Sequence, residues 1–247
     1  MLIDEMEKHG KWLFRWRSYL PLVAAVLLLS SLPHFVYLFG SHFWDQVWEM
    51  FCLGISFLGL FIRIATVGYT PIRTSGRNTT QQVADSLNTS GMYSVVRNPL
   101  YLGNFLVGLG FSMFVHVWWV TVIYALLFLV YYERIIMTEE LFLQKKFGQE
   151  YWEWSKKNPI FFPRFRQWQS PTLPFNIRKV CRNEHQTLFL IVLIFYSLEL
   201  LGDYYMGQPL MDDLWWNILM GVVVVIFIVF RIIHKQTSWL HDKIGDR

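Results

Sequence analysis

Apolar residues in this chain gather in long blocks, not at the two-residue period of a half-buried strand or the 3.6-residue period of a surface helix. The first block runs over 18–38, from Ser18 to Leu38, and is apolar apart from serines and His34. A second runs from about Val47 to Val67. The stretch from Leu100 to Tyr132 is too long for one crossing of roughly 20 residues, and it reads as a hairpin of two helices turning near Val115–Trp118. Two further blocks follow, near Gln186–Leu201 and Leu214–Ile233. The pattern predicts an all-α, polytopic transmembrane helical protein with about six spans, the hairpin included. After the hairpin, Glu139 to Trp154 reads as one more helix. Phe147, Tyr151 and Trp154 fall on one face at i, i+4 and i+7, and Lys145, Lys146, Gln149 and Glu150 lie elsewhere. Such a pattern suits a cytoplasmic helix lying in the membrane interface. Asn158-Pro159 ends it.

Charge orients the spans. The predicted connections Phe39–Asp45, the hairpin tip and Gly202–Asp213 contain no Lys or Arg. The 22 basic residues lie in the N-terminal segment, the 68–98 loop, the 134–182 region and the C-terminal tail, apart from Arg63 just inside a helix end. Cytoplasmic loops carry the excess of Lys and Arg, so both termini and both long loops are expected in the cytoplasm. The net charge of +4 therefore points to the membrane and not to a nucleic acid. Composition agrees: 54% of residues are hydrophobic and only 16% charged, against about 25% charged in an ordinary soluble domain. No signal peptide is expected, because charged residues precede a span too long for an h-region. Asn78-Thr79-Thr80 and Asn88-Thr89-Ser90 match the glycosylation pattern, but their cytoplasmic placement predicts no modification. Pro71–Ser90 is a polar loop of a length that is usually functional or disordered.

Most familiar catalytic signatures are missing: there is no Walker A loop, no H-E-x-x-H and no G-x-S-x-G. Gly108 and Gly110 form a G-x-G inside the hairpin's first helix, without the strand context of a nucleotide fold, and suit helix packing. Cys52 and Cys181 have no Cys or His partner at metal-ligand spacing, and no metal is expected. His34, His42, His116 and His185 suit interfacial or packing roles. Glu199 is a carboxylate inside the fifth span. Such residues are costly in a bilayer and are candidates for function, here either structural pairing or a role near the outer leaflet.

One region concentrates distinctive residues: Gly91-Met92-Tyr93-Ser94-Val95-Val96-Arg97-Asn98-Pro99-Leu100-Tyr101, then Glu133-Arg134, Glu139-Glu140, Phe147-Gly148-Gln149-Glu150-Tyr151 and Pro163. Here the chain resembles the isoprenylcysteine carboxyl methyltransferase family and its bacterial and phospholipid methyltransferase relatives. That family shows G-x-Y, then R-H-P-x-Y opening a helical hairpin, an Arg, a Glu-Glu pair, and an F-G-x-E-Y segment followed by Pro. The resemblance covers about 68–165. The family's usual His is Asn98 here, which can donate and accept hydrogen bonds but carries no charge.

The resemblance implies S-adenosylmethionine as cofactor and a membrane lipid or lipidated molecule as acceptor. It assigns Tyr93, Arg97, Asn98, Pro99, Tyr101 and Glu140 to cofactor binding and Arg134 and Glu139 to the reaction. Their chemistry is compatible with those roles. A carboxylate can hold the ribose diol or ammonium of the cofactor, and tyrosines supply walls or hydroxyls. Pro at the first helical position loses no useful N–H, and the free N–H groups of that turn favour an anion. The planar guanidinium of Arg134 suits a two-point grip on a carboxylate or phosphate acceptor. The bland readings are a positive-inside anchor at Arg97, belt tyrosines, solvated glutamates and a snorkelling Glu133-Arg134 pair.

The expected organisation is two spans over 1–67, a methyltransferase core over 68–165, and a linker with two spans over 166–247. An O-methylation of a carboxylate or lipid phosphate leads. A phosphatidylethanolamine-type N-methylation, an NADPH-dependent membrane reductase of similar fold, and a non-catalytic scaffold stay open. The expected place is a bacterial inner membrane, or the endoplasmic reticulum in a eukaryote.

Overall fold

The computed structural model describes residues 2–16, 19–71, 74, 84–211 and 213–236. Most of the polar 71–90 loop, including Asn78-Thr79-Thr80, lies outside the described residues, as does the tail beyond Gln236. The fold is all-helical, with no strand among the described residues. Its helices are α1 (Leu2–Trp16), α2 (Leu20–Ser31), α3 (His42–Tyr69), α4 (Pro99–Phe114), α5 (Trp118–Phe147), α6 (Gln149–Lys157), α7 (Ile177–Met206) and α8 (Leu214–Gln236). Five segments are long and apolar enough to cross a membrane: Leu22–Gly40, His42–Tyr69, Trp118–Phe147, Ile177–Met206 and Leu214–Ile233. The shorter apolar α4 completes the hairpin with α5.

The first span is less regular than its composition suggests. Leu20–Ser31 is α-helical, but Leu32–His34 and Leu38–Gly40 are single 3-10 turns around an extended Phe35–Tyr37. Pro33 accounts for the break, because it has no N–H for the helical ladder and its ring crowds the preceding turn. The hairpin turns at Val115–Val117, as expected. The helix expected over 139–154 is instead two helices. Glu139 and Glu140 belong to α5, which runs on to Phe147, and Gly148 breaks the chain before α6 with φ +52 and ψ −120. Only a residue without Cβ adopts that conformation readily.

α3 and α4 lie against each other at close range. A Cβ on Gly59 would meet the Gly103 carbonyl oxygen at 2.5 Å, and one on Gly110 would strike Ser56 and the Cys52 carbonyl. Small residues at a helix crossing let the backbones approach, as helix association inside lipid requires. The packing role expected for Gly110 is therefore met. The same pair places Trp48 Nε1 on the Met113 carbonyl (2.9 Å) and Ser56 Oγ on the Val107 carbonyl (2.9 Å).

α7 lies beside α3 and is tied to it by charge. Arg63 on α3 donates to Glu184 on α7 through Nε and Nη2, both at 2.8 Å, and its Nη1 donates to Asn104 on α4. Nearer the helix ends, Lys179 Nζ donates to the carbonyls of Thr70 (2.8 Å) and Pro71 (3.0 Å). The amphipathic α1, not anticipated from the block pattern, packs Leu13 and Phe14 on the face of α5 that carries Phe128, Tyr132 and Ile135. Tyr131 Oη donates to the Leu13 carbonyl at 2.9 Å. α2 and α8 keep most of their apolar surface outward: Val26 is 68% exposed and Val225 60%. Outward apolar faces of that extent are what lipid contact requires.

Candidate functional site

The segment before α4 begins with Gly91 at φ +59, a conformation that favours glycine. A 3-10 turn over Gly91–Ser94 follows. The next residues, Val95 and Val96, are fully buried, and they pack with Leu102 against Ile62, Met92 and Phe161. This anchor fixes the backbone on either side of Arg97. The chain returning from α6 straps it down: Arg97 N–H donates to the Pro159 carbonyl (2.9 Å), and Arg164 N–H donates to the Val95 carbonyl (2.9 Å). Asn98 then stands at the N-terminal cap of α4 with Pro99 as first helical residue, and its Nδ2 donates to the Ile160 carbonyl at 3.3 Å.

α5 brings the carboxylates to meet this strap. Ile135 and Ile136 are buried against α1 and α4. Glu139 and Glu140 sit one turn further on the same faces, since residues four apart are neighbours on a helix. Arg97 Nη1 donates to Glu140 Oε2 at 3.0 Å, with Oε1 equally near but without a bond of its own. Tyr101 Oη donates to Glu139 Oε1 at 2.7 Å. Tyr101 also lies against Tyr132, ring centroids 4.6 Å apart, which in turn stacks on Phe128 at 4.1 Å. The guanidinium and one carboxylate thus face each other beside an aromatic wall.

Tyr93 and Tyr151 complete the group. The Tyr93 carbonyl accepts from Trp154 Nε1 at 3.2 Å, and burial with the neighbouring Glu139 charge pushes its phenol up, so it stays protonated. Tyr151, on α6, is 4% exposed and faces Glu140 and Arg97, yet its hydroxyl closes no well-formed hydrogen bond. Burial chiefly, and then the Glu140 charge, raise its pKa, so it too is a donor at neutral pH. Three buried polar atoms at this spot lack partners among the described residues: Arg97 Nε, Glu140 Oε1 and Tyr151 Oη. Unmet groups of this kind are uncommon in folded proteins and call for an explanation. A ligand carrying both donors and acceptors would satisfy all three.

The structure therefore brings together Tyr93, Arg97, Asn98, Pro99, Tyr101, Glu139 and Glu140, and it leaves Arg134 apart. Arg134 lies on the stretch of α5 covered by α1, where a Cβ on Gly10 would strike its carbonyl oxygen and Thr138 Oγ1. The residue is half-buried and has no ion pair among the described residues. Tyr151 is the member that sequence reasoning placed on an interfacial face and not in the site. Its place in the F-G-x-E-Y segment was the available signal.

The phospholipid methyltransferase family model matches residues 37–150, which contain the whole site apart from Tyr151 and the 158–164 strap. The chain is 37% identical over 145 residues to the cobalt-zinc-cadmium resistance protein CzcN of Cupriavidus metallidurans, covering 58% of this chain and 61% of that protein. It is 30% identical over 158 residues to the nickel-cobalt-cadmium resistance protein NccN of Alcaligenes xylosoxydans xylosoxydans, covering 63% and 66%. It is 29% identical over 130 residues to the protein-S-isoprenylcysteine O-methyltransferase of Schizosaccharomyces pombe, covering 51% and 53%. In each case the match spans less than two thirds of the relative's length. No solved structure matches. Among the described residues no group of three or more His, Cys, Asp or Glu is arranged to hold a metal ion. The resemblance read from the motifs is thus shown by comparisons that cover the core of the chain.

Proposed function

We infer, from the phospholipid methyltransferase match of residues 37–150, that this multi-pass membrane protein transfers a methyl group from S-adenosylmethionine to an acceptor within the bilayer. The observation that carries the reading is the convergence of Arg97 Nε, Glu140 Oε1 and Tyr151 Oη, buried and unpartnered, beside the Tyr101–Tyr132 wall. The donor set fits the cofactor. Glu140 offers an acceptor for its ammonium or ribose diol, and Arg97 and Tyr151 offer donors for its carboxylate. Glu139, held by Tyr101, keeps a second negative charge close to where a sulfonium would lie.

When bound, S-adenosylmethionine supplies a methyl on a positively charged sulfur, already activated for in-line displacement. The chain's part is to position, to screen and to exclude water. Phe105, Phe128 and Phe161 back the aromatic wall and keep the site dry. Arg134 stands apart from the cofactor group and has no ion pair among the described residues, and it is the residue that the resemblance leaves for an anionic acceptor. A carboxylate or lipid phosphate is ionised at neutral pH and needs no general base. An O-methylation of such a group on a lipid or lipidated molecule is therefore the leading reaction. In this reading the Arg97 end faces the cytoplasm, both termini included, in the inner membrane of a bacterium.

Calorimetry on the detergent-purified chain tests this. Micromolar binding of S-adenosylmethionine, weakened in Glu140→Gln, is the expected result. Binding of NADPH alone would replace the reading with a membrane reductase, and binding of neither would leave a scaffold that kept the fold.

A further inference from the structure

The end of the bundle remote from Arg97 gathers carboxyl groups that the methyl-transfer reading does not use. Asp45 and Glu49 on α3 are each 1% exposed, and Glu199 and Asp203 on α7 are 5% and 6% exposed. Asp213, just before α8, is 12% exposed at its side chain. The connections at this end contain no Lys or Arg. The titratable groups that face the cluster are Tyr37 from the first span, His42 and Cys52 on α3, and His116 from the hairpin turn. His116 is a second sign that the site is built to handle a proton. Its side chain is 3% exposed, Nε2 lies 3.2 Å from Asp45 Oδ1, and neither ring nitrogen closes a well-formed hydrogen bond among the described residues.

At the centre of the cluster two buried glutamates keep an oxygen without a donor among the described residues. Glu49 Oε2 accepts from Trp216 Nε1 at 3.0 Å, which leaves Oε1 without a donor; Glu199 Oε2 likewise has none. Glu199 shares this buried environment with Glu49, Asp203 and Asp213, all of them acids. An ionised carboxylate only accepts, so a hydrogen bond between two carboxyl groups exists only with a proton in it. Glu199, set among acids with no ion pair among the described residues, is the group on which such a proton would sit. From there the path leads outward: Asp213 Oδ1 accepts from Gln46 Nε2 at 2.9 Å and lies 3.5 Å from Nε2 of His42, whose side chain is 51% exposed.

We propose that this end is a proton-binding site, in which Glu199 carries one proton shared with Glu49 and exchanges it with the aqueous face through Asp213 and His42. Each hop breaks one O–H or N–H bond and forms another, N–H where the acceptor is His42 and O–H where it is a carboxylate, with no oxidant or reductant. The ligand is the proton itself, which needs no cavity and removes one negative charge from a place where bare charge is expensive. The site is independent of methyl transfer and stands or falls without it.

Infrared difference spectroscopy on the purified full chain in lipid nanodiscs reads this directly. At neutral pH the expected spectrum shows a protonated-carboxyl C=O band that moves on transfer to D2O. The band is lost in Glu199→Gln and displaced in Glu49→Gln. In Asp213→Asn the band persists and its D2O shift slows severalfold. A wild-type spectrum without the band overturns the proposal, and it does so even if Glu199→Gln fails to fold. A band unchanged in Glu199→Gln also overturns it, and a wild-type exchange rate in Asp213→Asn overturns the route.

Discussion

Buried carboxylates at the two ends of this bundle are handled in opposite ways. Near the Arg97 end, Glu184 receives two bonds from Arg63 and Glu140 receives one from Arg97, while Lys179 fills the carbonyls that close α3. Near the Asp45 end, the carboxylates are met by the Trp216 indole, the Gln46 amide and, at 3.5 Å, the Tyr37 hydroxyl, with the imidazoles of His116 and His42 3.2 and 3.5 Å from Asp45 and Asp213. About 21 Å of α3 separates Glu49 from Arg63, at roughly 1.5 Å of rise per residue. The difference follows the distribution of basic residues. A chain that keeps Lys and Arg to one side of the membrane has guanidinium groups to spend there, and has only protons and dipoles to offer on the other. One end can therefore hold charge in ion pairs with Arg, and the proposed proton site lies at the end that has none.

The sharpest way to break this contrast is to remove a cation from the paired end. Arg63→Met leaves Glu184 buried at 4% exposure with no counter-charge, and a loss of about 3–5 kcal/mol is expected from thermal unfolding in detergent. Replacing Glu184 by Met in the same chain should recover most of that loss; if it does not, the pair is not what ties α7 to α3. Next comes Glu140→Gln, expected to weaken S-adenosylmethionine binding by about 1.5–3 kcal/mol, the range for hydrogen bonds to charged groups, with little change in melting temperature. Equal affinity in wild type and mutant would remove Glu140 from the site.

At the other end the effects are smaller. Burial holds His116 neutral by lowering its pKa from 6.5 to about 4. Its folded value lies below its unfolded value, so the associated stability is full above pH 6.5 and is lost as pH falls toward 4. One unit below 6.5 the loss is about 1.4 kcal/mol by linkage. Thermal melts of wild type and His116→Gln over that interval check it, and parallel curves would contradict it. The smallest change is expected for Asp203→Asn, within about 1 kcal/mol of wild type. The amide keeps an acceptor for Tyr37 and relieves repulsion among neighbours, whereas an ion-paired carboxylate would lose its partner's attraction. A loss as large as that of Arg63→Met would erase the contrast between the ends.

Much of the architecture was legible from the chain. Long apolar blocks locate the spans because lipid demands them whatever their neighbours are, and the hairpin turn falls where the block length requires one. The grouping of Arg97, Glu139 and Glu140 was legible only through family resemblance, because 43 residues separate Arg97 from Glu140 and no local rule links them. Pro33 and Gly148 broke helices that the patterns drew as continuous; each carries a local signal that block hydropathy averages away. α1 was missed because its amphipathic face is short and its partner, α5, is more than a hundred residues distant. Arg63 was read only as lying just inside a helix end, and its bond to Glu184, 121 residues away, lies beyond any periodicity.

The sequence by itself determined the membrane class, the helical fold, the hairpin and the side on which positive charge collects. These depend on length, hydropathy and charge, which act locally and add along the chain. Only the tertiary structure decided which carboxylate meets a guanidinium, which meets another carboxylate, and which phenol turns toward them. Those pairings arise where helices distant in sequence cross, and in a medium of low dielectric a displacement of one helical turn separates a satisfied charge from a bare one.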